Sequence, residues 1–174
     1  MAIHVNKELA FIKLAIEEDL YPESIAHHLN DLAESGVPLA PVILEKIIEL
    51  RTGQLQLQNE AHRDFADNSD AKTSTCSSYI TNKGYTTHKG MIGSAEHKIG
   101  YIRAAIYNEH TDSIDFFLIP PASSKDNLIN YNYHGCIPYT YNVYSRKYTN
   151  GLEFYRKKTL KEMCANINRL KKAA

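Results

Sequence analysis

The stretch RDFADNSDAKTSTCSSYIT, residues 63–81, decides the fold. Before it, apolar residues recur every three or four positions, the period of a helix. From Asp70 onward small, β-branched and aromatic residues take over, the texture of a strand. The chain therefore predicts a helical part over residues 1–60, followed by a sheet and a closing helix over 61–174. Its 174 residues suit one domain with a substantial core and are too few for two ordinary ones. Helices, then an antiparallel-leaning or mixed sheet, then a helix is the order of an α+β protein.

Outward from that stretch, NKELAFIKLAIEEDL (6–20) puts Leu9, Ile12, Ile16 and Leu20 on one face. PESIAHHLNDLAESG (22–36) opens with Pro22 at a first helical position and stops at Gly36. VILEKIIELRTGQLQLQNEAH (42–62) predicts a third helix with Val42, Ile43, Ile47 and Leu50 inward and Gly53 as a point of interruption. On the other side, KIGYIRAAIYN (98–108) and SIDFFLIPP (113–121) flank the turn EHTD and predict a hairpin from Lys98 to Pro120. Residues 82–97 read as a loop or hairpin, and the tyrosine-rich residues 130–148 fit a strand and an ordered loop equally. TLKEMCANINRLKKA (159–173) predicts one amphipathic helix.

Composition narrows the class. A chain 43% hydrophobic and 23% charged is that of a water-soluble globular protein. No run of about 18 apolar residues is present, and the N-terminus lacks the pattern of a signal peptide, so a cytoplasmic protein with no membrane partner is expected. Cys76, Cys136 and Cys164 are widely spaced and odd in number, which favours reduced, structural thiols. The net charge of zero splits into −8 over residues 1–71 and +8 over 72–174. A basic second half points to a polyanion partner, or to attraction between the halves.

The chemistry concentrates where the texture changes. Side chains alternate along a strand, so Asp70 and Lys72 project from one face. A carboxylate from Asp64 could converge with Asp70 on Mg²⁺, which binds through one or two carboxylates and accepts phosphate oxygens as further ligands. A lysine beside such an ion can hold an attacking water in line with a phosphate. The competing reading is a solvated acidic loop in which Lys72 simply pairs with Asp70.

An acid followed by an acid-x-Lys strand resembles the catalytic motif of the PD-(D/E)XK nuclease superfamily, and within it the type II restriction endonucleases and the MutH-like group. IIELRTGQ supplies Glu49 and Gly53, RDF supplies Asp64, and SDAKT supplies Asp70, Lys72 and Thr73. The resemblance implies a restriction-endonuclease-like sheet and Mg²⁺ held by Asp64 and Asp70. It further implies a water positioned by Lys72, an auxiliary Glu49, double-stranded DNA as substrate and a homodimer. Glu60 and Asp67 are rival candidates for the metal shell.

Nucleic-acid contacts are expected from Lys83, Tyr85, His88 and Lys89 just after the motif, from Arg103, and from Arg146 and Lys147 at the end of the tyrosine-rich segment. Each has an ordinary alternative as a solvated or packed residue, as does the basic face formed by Arg156, Lys157, Lys158, Lys161, Arg169, Lys171 and Lys172. Two other functions stay open. One is a non-catalytic helix-turn-helix DNA binder reading through residues 23–50; the other is a nuclease of RNA or single strands served by stacking tyrosines.

Overall fold

A computed structural model of the chain describes residues 4–20, 22–58 and 60–173. Helix α1 (Val5–Glu17) starts at His4, whose imidazole caps the Lys7 amide. Helix α2 (Pro22–Ser35) carries Pro22 at its first position, and Gly36 follows it in the left-handed conformation. Helix α3 (Ala40–Thr52) ends where Gly53, at φ 68°, returns its amide to the Glu49 carbonyl. The expected third helix to residue 62 is thus cut at the glycine, because the αL cap turns the chain out of the helix.

The sheet has seven strands: β1 (Asp70–Ile80), β2 (Thr86–Ile92), β3 (Ile102–Asn108), β4 (Ser113–Ile119), β5 (Ile137–Asn142), β6 (Lys147–Tyr148) and β7 (Arg156–Lys157). Their order is β6-β5-β2-β1-β3-β4-β7. The protein is therefore α+β with a mixed sheet, since β1 and β3 run parallel and the other neighbours antiparallel. The hairpin expected between Lys98 and Pro120 is β3–β4, with Ile102 opposite Ile119. Residues 82–97, where the sequence fits a loop or a hairpin, contain β2, which pairs with β1 as a hairpin. The tyrosine-rich segment contains β5 and β6, with Tyr139, Tyr141 and Tyr148 buried and Tyr133 and Tyr144 exposed.

Every residue of β3 is buried, so the strand divides the core. One face meets Phe11, Leu14, Ile43, Leu44, Ile47, Ile48, Phe65 and Met163, and the other meets Cys76, Ile92, Phe117, Tyr139 and Leu152. The buried face of α1 is Glu8, Phe11, Leu14 and Ala15. This corrects the expected one: Leu9 and Ile16 face outward, because the two stripes interleave and Phe11 and Leu14 carry the packing on the core. Glu8 is buried because its Oε2 accepts the Leu39 amide at 2.8 Å at the start of α3, where a carboxylate complements the helix dipole.

The single terminal helix is also corrected. It is two pieces, α4 (Leu160–Met163) and α5 (Ile167–Ala173), and the Asn166 side chain accepts the Asn168 amide at 3.0 Å between them. The break leaves the Met163 and Ala165 carbonyls to Arg103, whose Nε and Nη2 donate to them at 3.1 and 3.0 Å. The side chains of Lys171 and Lys172 lie outside the described residues. Among the described residues no helix is long and apolar enough to cross a membrane.

Candidate active site

The loop between α3 and β1 is shaped by the acids that crowd it. Phe65 is buried and anchors the loop to the helical core, and Gln56 bridges to it as an isolated β pair. The amides of Asp64 and Phe65 both donate to the Ser69 carbonyl. Asp67 Oδ1 accepts from the Ser69 amide at 3.0 Å, and Asn68 sits at φ 71° to complete the turn. Asp64 Oδ2 then accepts the Ala71 amide at 2.8 Å, which fixes that carboxylate against the first residues of β1.

At the start of β1, Asp70 is 1% exposed. Lys72 Nζ lies 3.7 Å from its Oδ2, the same-face pairing expected for i and i+2. A second lysine, Lys98, comes to 3.1 Å from Oδ1 while donating to the Ala61 carbonyl at 2.7 Å. The Lys98 ammonium is thus the partner of the buried Asp70 Oδ1, and its charge and hydrogen bond lower the Asp70 pKa against the effect of burial. Lys98 arrives through the turn before β3. Gly100 packs so closely that a Cβ there would meet the Asn68 carbonyl oxygen at 2.2 Å, and the Tyr101 carbonyl accepts the Asp70 amide at 3.0 Å. The expected strand from Lys98 therefore begins only at Ile102.

Electrostatically the site is overcrowded with negative charge. Burial pushes the Asp70 carboxyl above the ordinary aspartate range, Asp64 adds to the shift, and Lys72 and Lys98 oppose it. On α3, Glu45 is raised by burial and by the charges of Asp64 and Asp70, against a hydrogen bond from Gln56 Nε2 at 2.9 Å. Glu45 is thus the helix acid that bears on the site. Glu49, the expected one, instead lines a cleft of about 560 Å³ with Asp19, Leu20, Ser24 and Lys46, on the outer side of the helical part. Glu45 and Glu49 lie four residues apart on one polar side of α3, so the sequence alone does not say which of them meets the loop that follows Gly53.

The rival acids have other partners. Asp67 pairs with Arg103 at 3.2 Å, and Glu60 pairs with Arg63 at 3.2 Å. Arg103 is itself 1% exposed, and besides Asp67 it holds Ser69 Oγ and the carbonyls of the α4–α5 break. The expectation that it contacts phosphate is corrected: it is a buried strut joining the acidic loop to the closing helices. His88 is likewise buried, on β2, with Nδ1 2.9 Å from Ser78 Oγ; burial and the neighbouring His110 lower its pKa. It too is displaced from the expected nucleic-acid surface. Lys83, Tyr85, Lys89, Arg146 and Lys147 are all exposed. The first three cluster on the β1–β2 hairpin, while Arg146 and Lys147 lie on the β5–β6 turn.

The donor set suits a hard cation. Asp70 offers a buried carboxylate, and the charge of Asp64 acts on it from the preceding loop, which matches the one or two carboxylates by which Mg²⁺ is usually bound. Among the described residues no three His, Cys, Asp or Glu side chains converge closely enough to hold a metal between them. The three cysteines are free, and burial pushes the Cys76 thiol up to about 12, which leaves it inert at neutral pH. Lys98 escaped the sequence reading because it lies 28 positions beyond Asp70, and only the β1–β3 pairing brings the two together. Comparison with protein-family models, curated proteins and solved structures finds no match to this chain.

Proposed function

We propose that the chain is a Mg²⁺-dependent endonuclease that hydrolyses phosphodiester bonds of double-stranded DNA, in the manner of type II restriction enzymes with a PD-(D/E)XK motif. The observation that carries this reading is the buried Asp70 carboxylate, set between Lys72 and Lys98, with its pKa raised by burial and by Asp64, while Glu45 on α3 is raised in turn by Asp64 and Asp70. Such a site holds an excess of negative charge that a cation relieves. Asp70 and Asp64 would hold the ion, which when bound supplies charge neutralisation at the phosphate and a more acidic water. Lys72, 22% exposed at its side chain, orients the attacking water and donates to the phosphate as charge develops. Glu45, whose pKa is raised by burial and by the charges of Asp64 and Asp70, would be the group to take the proton of that water. Water oxygen bonds to phosphorus, the phosphorus–oxygen bond to the leaving nucleotide breaks, and that oxygen gains a proton.

A restriction-endonuclease-like arrangement of the sheet and a homodimer belong to the same proposal. Val5, Leu9, Ile12 and Ile16 form a stripe at helical spacing on α1, with Val5, Leu9 and Ile16 more than half exposed. Two copies packed antiparallel would set Val5 against Ile16 about the exposed Leu9, a self-complementary seam. A helix-turn-helix reader is disfavoured by the burial of Ile43, Leu44, Ile47 and Ile48 on α3, the helix that would have to enter a groove. The fully exposed rings of Tyr133 and Tyr144 favour single-stranded nucleic acid as a second reading of the substrate. Lys72→Ala tests the assignment. It should reduce Mg²⁺-dependent cleavage by at least about 100-fold while duplex affinity in EDTA stays within about twofold. Equal losses in both would place Lys72 in binding alone.

A further inference from the structure

We infer that the β1–β2 hairpin is a two-stranded ribbon that enters the major groove of duplex DNA beside the cleaved phosphate; this rests on the nuclease reading above. The hairpin is a direct continuation of the strand that carries Asp70 and Lys72. Ser78 still ties the ribbon to the body, its amide donating to Glu109 Oε2 and its Oγ meeting the buried His88, both at 2.9 Å; beyond it the ribbon leaves the core, and residues 78–86 form the longest uninterrupted exposed run among the described residues. Yet it is ordered rather than loose. Ser77–Ile80 pair with Thr86–Lys89, and at the tip the Thr81 amide donates to the Tyr85 carbonyl at 2.7 Å. The Gly84 amide donates to the Thr81 carbonyl at 2.9 Å, and the Tyr85 amide to Thr81 Oγ1 at 3.1 Å.

A protruding ribbon has no folding reason to carry large apolar side chains, but Tyr79, Ile80 and Tyr85 are 49%, 80% and 71% exposed. By strand alternation Tyr79, Thr81, Tyr85, Thr87 and Lys89 share one face, and the Lys89 ammonium sits 5.0 Å from the Tyr79 ring centroid on that face. Rings, hydroxyls and a cation on a single face are the groups that read base edges and neutralise phosphate.

Charge selects the partner. Residues 71–95 contain Lys72, Lys83 and Lys89 and no Asp or Glu, between the acids Asp70 and Glu96. An apolar protein partner would not require an acid-free run, whereas a polyanion would be repelled by each acid in it. The dimensions agree. From Lys72 to Ile80 the strand rises about 3.3 Å per residue, so the tip extends roughly 26 Å from the site, enough to span the groove next to a bound phosphate.

The test uses the full chain and a fluorescein-labelled random-sequence duplex of about 30 base pairs, titrated in EDTA at several salt concentrations. Tyr79→Ala with Tyr85→Ala should weaken binding by about tenfold or more, with the thermal midpoint unchanged because both side chains are exposed. Lys83→Ala with Lys89→Ala should reduce the slope of log affinity against log salt by roughly 1.8, the value for two lost phosphate contacts. Unchanged affinity and slope in both variants would overturn the inference, as would absence of duplex binding by the parent. A change in oligomeric state without a change in DNA affinity would overturn it in favour of a second copy as partner. A parent that binds through the hairpin but never cleaves with Mg²⁺ would remove the nuclease reading and leave the ribbon standing. A parent that cleaves, with hairpin variants giving the same fragments at the same affinity, would do the reverse.

Discussion

The two ends of strand β1 follow opposite rules. At the inner end, Asp70 is fully buried between Lys72 and Lys98, with the charge of Asp64 acting on it. At the outer end, Tyr79 and Ile80 stand in solvent, and the hairpin they open adds Lys83, Tyr85 and Lys89 with no acid in its sequence. Folding alone favours neither arrangement, because taking paired charges out of water and leaving large apolar groups in it both cost free energy. One strand carrying both fits the proposed function, with a chemical inner end and a recognising outer end.

The largest effect should come from separating the two ends. Asp70→Asn keeps the shape of the inner end and removes its charge, so cleavage should fall by about 10³-fold or more while duplex binding in EDTA is retained. If cleavage persisted, the inner end would not be the chemical one. A comparably clear effect is expected on stability from Arg103→Ala, which strips the partner from the buried Asp67 and frees the carbonyls of the α4–α5 break; a loss of about 3–5 kcal/mol in denaturant unfolding is expected. Had Arg103 been a phosphate contact, the cost would appear in DNA affinity with little change in stability.

The pH dependence sharpens the contrast further. Burial and Asp64 raise the folded-state pKa of Asp70 above its unfolded value, so the stability tied to its protonated form is present below about pH 4 and is lost as pH rises through the raised folded value. Glu45 acts in the same direction. The melting temperature of Asp70→Asn should therefore gain on the parent as pH rises above about 4, and Mg²⁺ should raise the parent's melting temperature but not the variant's. A difference that shrinks with rising pH would reverse the sign assigned to Asp70. The smallest effect is expected at Lys98, whose ammonium competes with a metal for Asp70. Lys98→Met should strengthen Mn²⁺ binding by several-fold in calorimetry, whereas weaker binding would make Lys98 part of the metal site's support.

Much of this was legible in the sequence because it is local. The i, i+2 pairing of Asp70 with Lys72, the Pro22 start and Gly36 stop of α2, and the β3–β4 hairpin each depend on residues within about one element of each other. What was missed depends on long-range packing. Leu9 and Ile16 fit a helical stripe as well as Phe11 and Leu14 do, and only contact with the α3 core selects between them. Arg103 in a strand reads as solvent-facing until the break after Met163 supplies carbonyls for it. Lys98 and Glu45 join Asp70 from opposite sides through the parallel β1–β3 pair and the loop that follows Gly53, and neither contact has a local signature.

The most direct measurement is incubation of the purified protein with long, sequence-diverse, unmethylated duplex DNA, with Mg²⁺ and with EDTA, alongside Lys72→Ala. Discrete fragments from the parent in Mg²⁺ alone, absent with the variant, are the expected result. Fragments that form equally in EDTA, or equally with the variant, would contradict a metal-dependent site at Asp70 and Lys72.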